Sequence, residues 1–104
     1  MLLADLSPGR GREQSGKRPV VVVSHRRYAV VPGLVLAVPL TSTNRNLRHH
    51  VEIAPGLETG LVRTSYAMTE QVRALAVDRI ERQLGAVDET VATRISRYLH
   101  LFIA

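Results

Sequence analysis

The chain has 104 residues, enough for one domain with one core. Its 45% apolar and 22% charged residues are ordinary globular values, which excludes wholesale disorder. The absence of cysteine excludes disulfides and thiolate metal sites, and no stretch reaches the ~20 apolar residues of a membrane-spanning helix. Net charge is +5, carried almost wholly by arginine, with Lys17 the sole lysine. The forked guanidinium suits phosphate, so a nucleic acid and an acidic protein both stand as partners for such a surface.

Met1 to Ala4 are apolar but follow no basic segment, so the start does not read as a signal peptide and a cytoplasmic protein is expected. Residues 7–18, Ser-Pro-Gly-Arg-Gly-Arg-Glu-Gln-Ser-Gly-Lys-Arg, hold no apolar side chain and read as a long exposed loop, a place where function tends to sit. Pro19 opens four consecutive valines, Val20 to Val23, which favour a buried strand. Pro32-Gly33 marks a turn, and Leu34 to Leu40 is a second apolar strand with Pro39 near its end. His50-Val51-Glu52-Ile53 alternates and predicts a half-exposed strand.

Leu61 to Met68 holds a further short strand. Gln71 to Ala76 fits a strand or one helical turn, and the residues from Ile80 toward Gly85 lean to a strand. The last segment is the clearest. Asp88 is placed to cap a helix whose Val91, Ile95, Tyr98, Leu99 and Phe102 share one face, with Arg94 and Arg97 toward the other. Several short strands closed by one amphipathic C-terminal helix predict an α+β, mainly β fold, a small barrel-like sheet carrying one helix, in a single domain over 1–104.

No metal and no cofactor are expected. His25, His49, His50 and His100 lack ligand spacing, and His49 and His50, read at a strand start, would point to opposite faces and could not chelate together. Neither a phosphate loop nor a nucleophile elbow is present. Polar residues remain at one rim of the sheet: Glu13, Arg18, Thr41 and Ser42. If the two apolar strands pair antiparallel, Arg18 and Thr41 meet at one end. An arginine and a hydroxyl there make either a cradle for a scissile phosphate or a solvated loop beside a surface arginine.

Four blocks in order carry a resemblance. They are Asp5-Leu6-Ser7-Pro8 with Gly11 to Pro19 and the following apolar strand; Pro39-Leu40-Thr41-Ser42; Gln71-Val72-Arg73-Ala74-Leu75; and Gly85-Ala86-Val87 before the closing helix. Collinear over nearly the whole chain, this resembles the MazF/PemK family of toxin endoribonucleases. The resemblance implies an SH3-like, CcdB-type barrel, a homodimer, sequence-selective cleavage of single-stranded RNA without metal, and an antitoxin whose acidic C-terminal segment occupies the RNA site. Carried over by motif, Arg18 and Thr41 match the catalytic arginine and threonine, and Glu13 a glutamate that is a base in some members and dispensable in others. Glu70 and Gln71 match base-contacting positions, and Arg12, Lys17, Ser42 and Thr43 flank them as RNA-binding candidates.

The sequence departs from the family pattern at three places. The first strand is cut to a stub at Met1-Leu2-Leu3, which would leave an edge exposed. Thr64-Ser65 stands for Asp-Ser, and Ser24-His25-Arg26-Arg27 replaces a stretch where relatives carry Asn or Asp. The competing readings are a CcdB-like gyrase-poisoning toxin, a non-catalytic RNA-binding barrel, and a degenerate toxin.

Overall fold

The computed structural model describes residues 2–5, 17–23 and 33–103. Arg12 and Glu13, and the Ser24 to Arg27 stretch, lie outside the described residues. Among the described residues, seven strands and one α-helix follow in order: β1 (Leu2–Asp5), β2 (Lys17–Val22), β3 (Leu34–Thr41), β4 (His50–Ile53), β5 (Ser65–Met68), β6 (Arg73–Ala76), β7 (Ile80–Gln83) and α1 (Glu89–Ile103). One 3₁₀ turn at Thr69–Gln71 links β5 to β6, and another at Val77–Arg79 links β6 to β7.

The strands run β4-β5-β3-β2-β1-β7, with β6 also paired to β3. The sheet is barrel-like but not closed: no ladder joins β4 to β7 among the described residues. The expected edge does not fall on β1, which pairs antiparallel with β2 on one side and β7 on the other.

β3 organises the sheet. One of its edges takes β2; the other takes β6 along Leu34 to Ala37 and then β5 at Leu40 and Thr41. The backbone groups of alternate residues face alternate edges. Leu36 accepts from Val23 on the β2 side at 2.9 Å, so Pro39 faces the other edge, in the gap between β6 and β5. A residue without N–H costs least there.

Each face of the sheet buries its own cluster. Val21, Val38, Leu40, Val51, Ile53 and Ala67 pack with Ile95 of α1, while Val20, Ala37 and Leu75 form a second cluster. Val91, Tyr98 and Leu99 join the first, so the predicted stripe of α1 is the face that packs, and Arg94 and Arg97 are exposed. Phe102 departs from the stripe: it is 50% exposed. The Asp88 carboxylate accepts the Val91 N–H at 2.8 Å, which is the predicted cap.

Gly85 has a specific reason. Ala86 N–H donates to the Glu58 carbonyl at 2.9 Å, which lays this segment against the 56–60 loop. A Cβ at Gly85 would overlap the backbone of Glu58 and Thr59.

Candidate functional site

β2 and β3 pair antiparallel as Val20↔Pro39, Val21↔Val38 and Val22↔Ala37. Continued two residues, that register sets Arg18 across from Thr41. Thr41 pairs with Tyr66 of β5, and Tyr66 with Glu52 of β4. Four strands therefore contribute one cross-strand row, Arg18–Thr41–Tyr66–Glu52, on one face of the sheet. Two residues along each strand from this row lie Val20, Pro39, Met68 and His50, all buried. The row sits at the end of the packed sheet, held by the core behind it.

Local chemistry fixes the two central groups. The Arg18 guanidinium donates through Nη1 to the Leu40 carbonyl at 3.0 Å. Thr41 Oγ1 accepts the Thr43 N–H at 3.2 Å, turning the chain as it leaves β3. Thr41 is half-buried, and Ser42 and Thr43 are exposed beside it. Lys17 is directed elsewhere, to Glu81 of β7, with Nζ 3.1 Å from the carboxylate.

Glu70 lies on the 3₁₀ turn, where both neighbouring histidines reach it. His50 Nε2 is 3.0 and 3.1 Å from its two carboxylate oxygens, and His49 Nε2 is 3.3 Å from Oε1. Gln71 Nε2 also donates to Glu70, at 3.5 Å. The expectation that His49 and His50 point apart is overturned. His49 belongs to the turn before β4 rather than to the strand, so strand alternation does not act on it. The Thr69 hydroxyl donates to the His49 carbonyl at 2.6 Å, and the ring of Phe102 meets that of His49 edge-on at 5.6 Å.

Burial raises the pKa of the Glu70 carboxyl, but the His50 hydrogen bond, its own backbone N–H and the His50 and His49 charges outweigh that and hold it below its ordinary value. The ligand atoms of His49, His50 and Glu70 fall within 4.8 Å of one another, close enough to grip a metal ion. The surroundings of His50 favour hydrogen bonding instead. Its Nδ1 is buried with no partner among the described residues. A metal on Nε2 would displace the hydrogen bond that this nitrogen shares with Glu70.

Tyr66 and Glu52 escaped the sequence reading. Their only signal there is alternation within two separate strands, and the row appears once the register of β3, β5 and β4 is known. Two hollows, of about 580 Å³ against the outer face of α1 and about 370 Å³ along residues 53–59, include none of the row.

Residues 1–103 match the family model described as "PemK-like, MazF-like toxin of type II toxin-antitoxin system". Among curated proteins, Endoribonuclease MazF9 of Mycobacterium tuberculosis is 31% identical over 104 residues, covering 95% of this chain and 88% of the relative. Endoribonuclease EndoA of Bacillus subtilis is 30% identical over 104 residues, covering 97% and 88%. Among solved structures, MazF from Deinococcus radiodurans superposes with a TM-score of 0.80 at 24% identity, over 98% of this chain and 90% of that one. An endoribonuclease in complex with its cognate antitoxin from mycobacterial species gives 0.73 at 25%, over 99% and 91%. The match spans the sheet, the row and the closing helix together: the chain belongs to the PemK-like, MazF-like family of type II toxins.

Proposed function

We propose that this chain is a toxin endoribonuclease that cleaves single-stranded RNA sequence-selectively and without a metal, as one domain over 1–104 in the cytoplasm. The observation that carries the reading is the meeting of Arg18 and Thr41 at one sheet end, each held by a backbone contact. Its curated relatives bear the name endoribonuclease.

In this reading the ribose 2′-oxygen attacks the adjacent phosphorus and the bond to the 5′-oxygen breaks. The 2′-hydroxyl proton goes to a base and a proton is delivered to the leaving oxygen, giving a 2′,3′-cyclic phosphate and a 5′-hydroxyl. The nucleophile is internal, so no water needs activation by a metal. Negative charge builds on the non-bridging oxygens, where Arg18 and the Thr41 hydroxyl donate. A guanidinium offers donors and no acceptor, so Arg18 acts electrostatically. Glu13 is the candidate base. Arg12, Lys17, Ser42 and Thr43 would track the phosphates and sugars, and Glu70 and Gln71 would meet base edges, which single-stranded RNA exposes.

The partners follow the same reading. A net charge of +5 suits an antitoxin with an acidic C-terminal segment, and one solved relative is an endoribonuclease bound to its cognate antitoxin. Leu34 and Leu36, 39% and 44% exposed on one face of β3, form an apolar strip that a second copy in a homodimer would cover. No described helix is long and apolar enough to cross a membrane.

The test is purified protein with a long single-stranded RNA in EDTA. Discrete fragments with cyclic phosphate and 5′-hydroxyl ends are expected, and none from Arg18→Ala. Intact RNA, or equal cutting by that variant, removes the assignment.

A further inference from the structure

Pro19 sits between Arg18 and the first paired residue of the β2–β3 ladder. In an antiparallel pair, alternate residue pairs exchange two N–H···O=C bonds and the intervening pairs exchange none. Val23 N–H donates to the Leu36 carbonyl at 2.9 Å, which makes Val23↔Leu36 a bonded pair. Alternation then makes Val21↔Val38 and, two residues on, Pro19↔Leu40 bonded pairs. At Pro19 the donor is missing, because proline carries no N–H. The Leu40 carbonyl is left without its ladder partner, and Leu40 itself is 2% exposed. A carbonyl in that setting seeks a donor, and the donor it has is Nη1 of Arg18, at 3.0 Å.

We propose that Pro19 is a positioning residue: by withholding a backbone N–H from Leu40, it reserves that carbonyl as the anchor that holds the Arg18 guanidinium beside Thr41. The proposal rests on the catalytic reading of Arg18 and adds a reason for the proline that follows it. An arginine side chain has several rotatable bonds and a wide choice of rotamers. One of its five donors, tied to a buried carbonyl of the neighbouring residue to Thr41, aims the fork at that end of the sheet before substrate arrives. Pro19 also fits β2 from the other side. It faces Leu3 of β1 across an antiparallel pair, and the alternation that turns its nitrogen toward β3 turns it away from β1, so the lost donor is missed at Leu40 alone.

The proposal separates the N–H from the ring. Pro19→Ala restores the N–H, which takes the well-aligned lone pair of the Leu40 carbonyl and loosens Arg18. Lactic acid at position 19, introduced by nonsense suppression, has the same methyl side chain with an ester oxygen in place of N–H. Cleavage kinetics and thermal melting are measured for both, beside the natural chain and Arg18→Ala. Expected for Pro19→Ala is a fall in kcat of about tenfold or more with KM little changed and an unchanged or higher Tm, since a ladder bond is gained. Expected for the lactic acid form is kcat close to that of the natural chain. Full activity in Pro19→Ala, or equal loss in both forms, overturns the proposal, and the lactic acid form decides alone if the alanine variant does not fold. Undiminished cleavage by Arg18→Ala would instead remove the catalytic reading on which the proposal stands.

Discussion

The Arg18 guanidinium donates to the Leu40 carbonyl at 3.0 Å, across 22 residues of sequence, and Leu40 is the residue before Thr41. One hydrogen bond thus ties Arg18 to the residue beside Thr41, and Arg18 and Thr41 are the two groups proposed to carry the chemistry. Replacing Arg18 by Ala has two expected effects. Cleavage falls by about 10²- to 10³-fold or more, the usual cost of removing one donor to developing charge. Stability falls by about 1–3 kcal/mol, because the Leu40 carbonyl loses its side-chain donor. Arg18→Lys keeps the charge but not the fork and should recover little of the rate. Thr41→Val should lose cleavage while Thr41→Ser retains most of it. Single-turnover rates and melting curves on the same preparations check all four.

Gly85 bears on the fold rather than the reaction. Any Cβ there meets the backbone of Glu58 and Thr59, which cannot swing aside as a side chain tip would. Gly85→Ala should cost about 1–3 kcal/mol through overpacking. A control substitution at exposed Ala86 should cost little. Denaturant titration of both variants measures the difference.

Glu70 makes stability depend on pH in a defined direction. Its folded pKa lies below the ordinary carboxyl value, chiefly because the His50 hydrogen bond and the other lowering contacts outweigh burial. A depressed folded pKa contributes stability that is present above the unfolded pKa and is lost as pH falls through the folded one. The Tm advantage of the natural chain over Glu70→Gln should therefore be present at pH 6 and close as the pH is taken below the usual carboxylate range. A gap that widens on acidification below pH 4 would contradict the His50–Glu70 hydrogen bond as its source.

The Asp88 cap is a simpler case. Its carboxylate takes the Val91 N–H at 2.8 Å, one of the free donors of the first turn of α1. Asp88→Ala should cost about 1 kcal/mol, and Asp88→Ser or Asp88→Asn most of that less. Thermal melts of the three variants give the ranking.

β2, β3, β4 and α1 were legible because each rests on a local period. Runs of valine and leucine or strict alternation mark strands, and 3.6-residue spacing with a carboxylate at the start marks the helix. The connection from β5 to β6 was not. Gln71 to Ala76 fitted a strand or a turn equally, and the chain uses both, a 3₁₀ turn at Thr69–Gln71 and then Arg73–Ala76 in β6. Phe102 has the spacing of a core residue, yet it is half exposed and its ring meets His49 instead.

The sequence by itself determined most of the element types, the basic charge, the order of the family blocks and the residues nominated for the reaction, Arg18, Thr41 and Glu13. It also placed a proline after Arg18, although nothing local says what that proline does. The tertiary structure decided which groups meet. Register sets Arg18 across from Thr41 and extends the row to Tyr66 and Glu52, because partners in a ladder are chosen by strands distant along the chain. The turn before β4 brings His49 and His50 to one carboxylate, against the strand rule that would separate them. And the missing N–H of Pro19 acquires meaning once Leu40 stands opposite it, with Arg18 as the donor that answers.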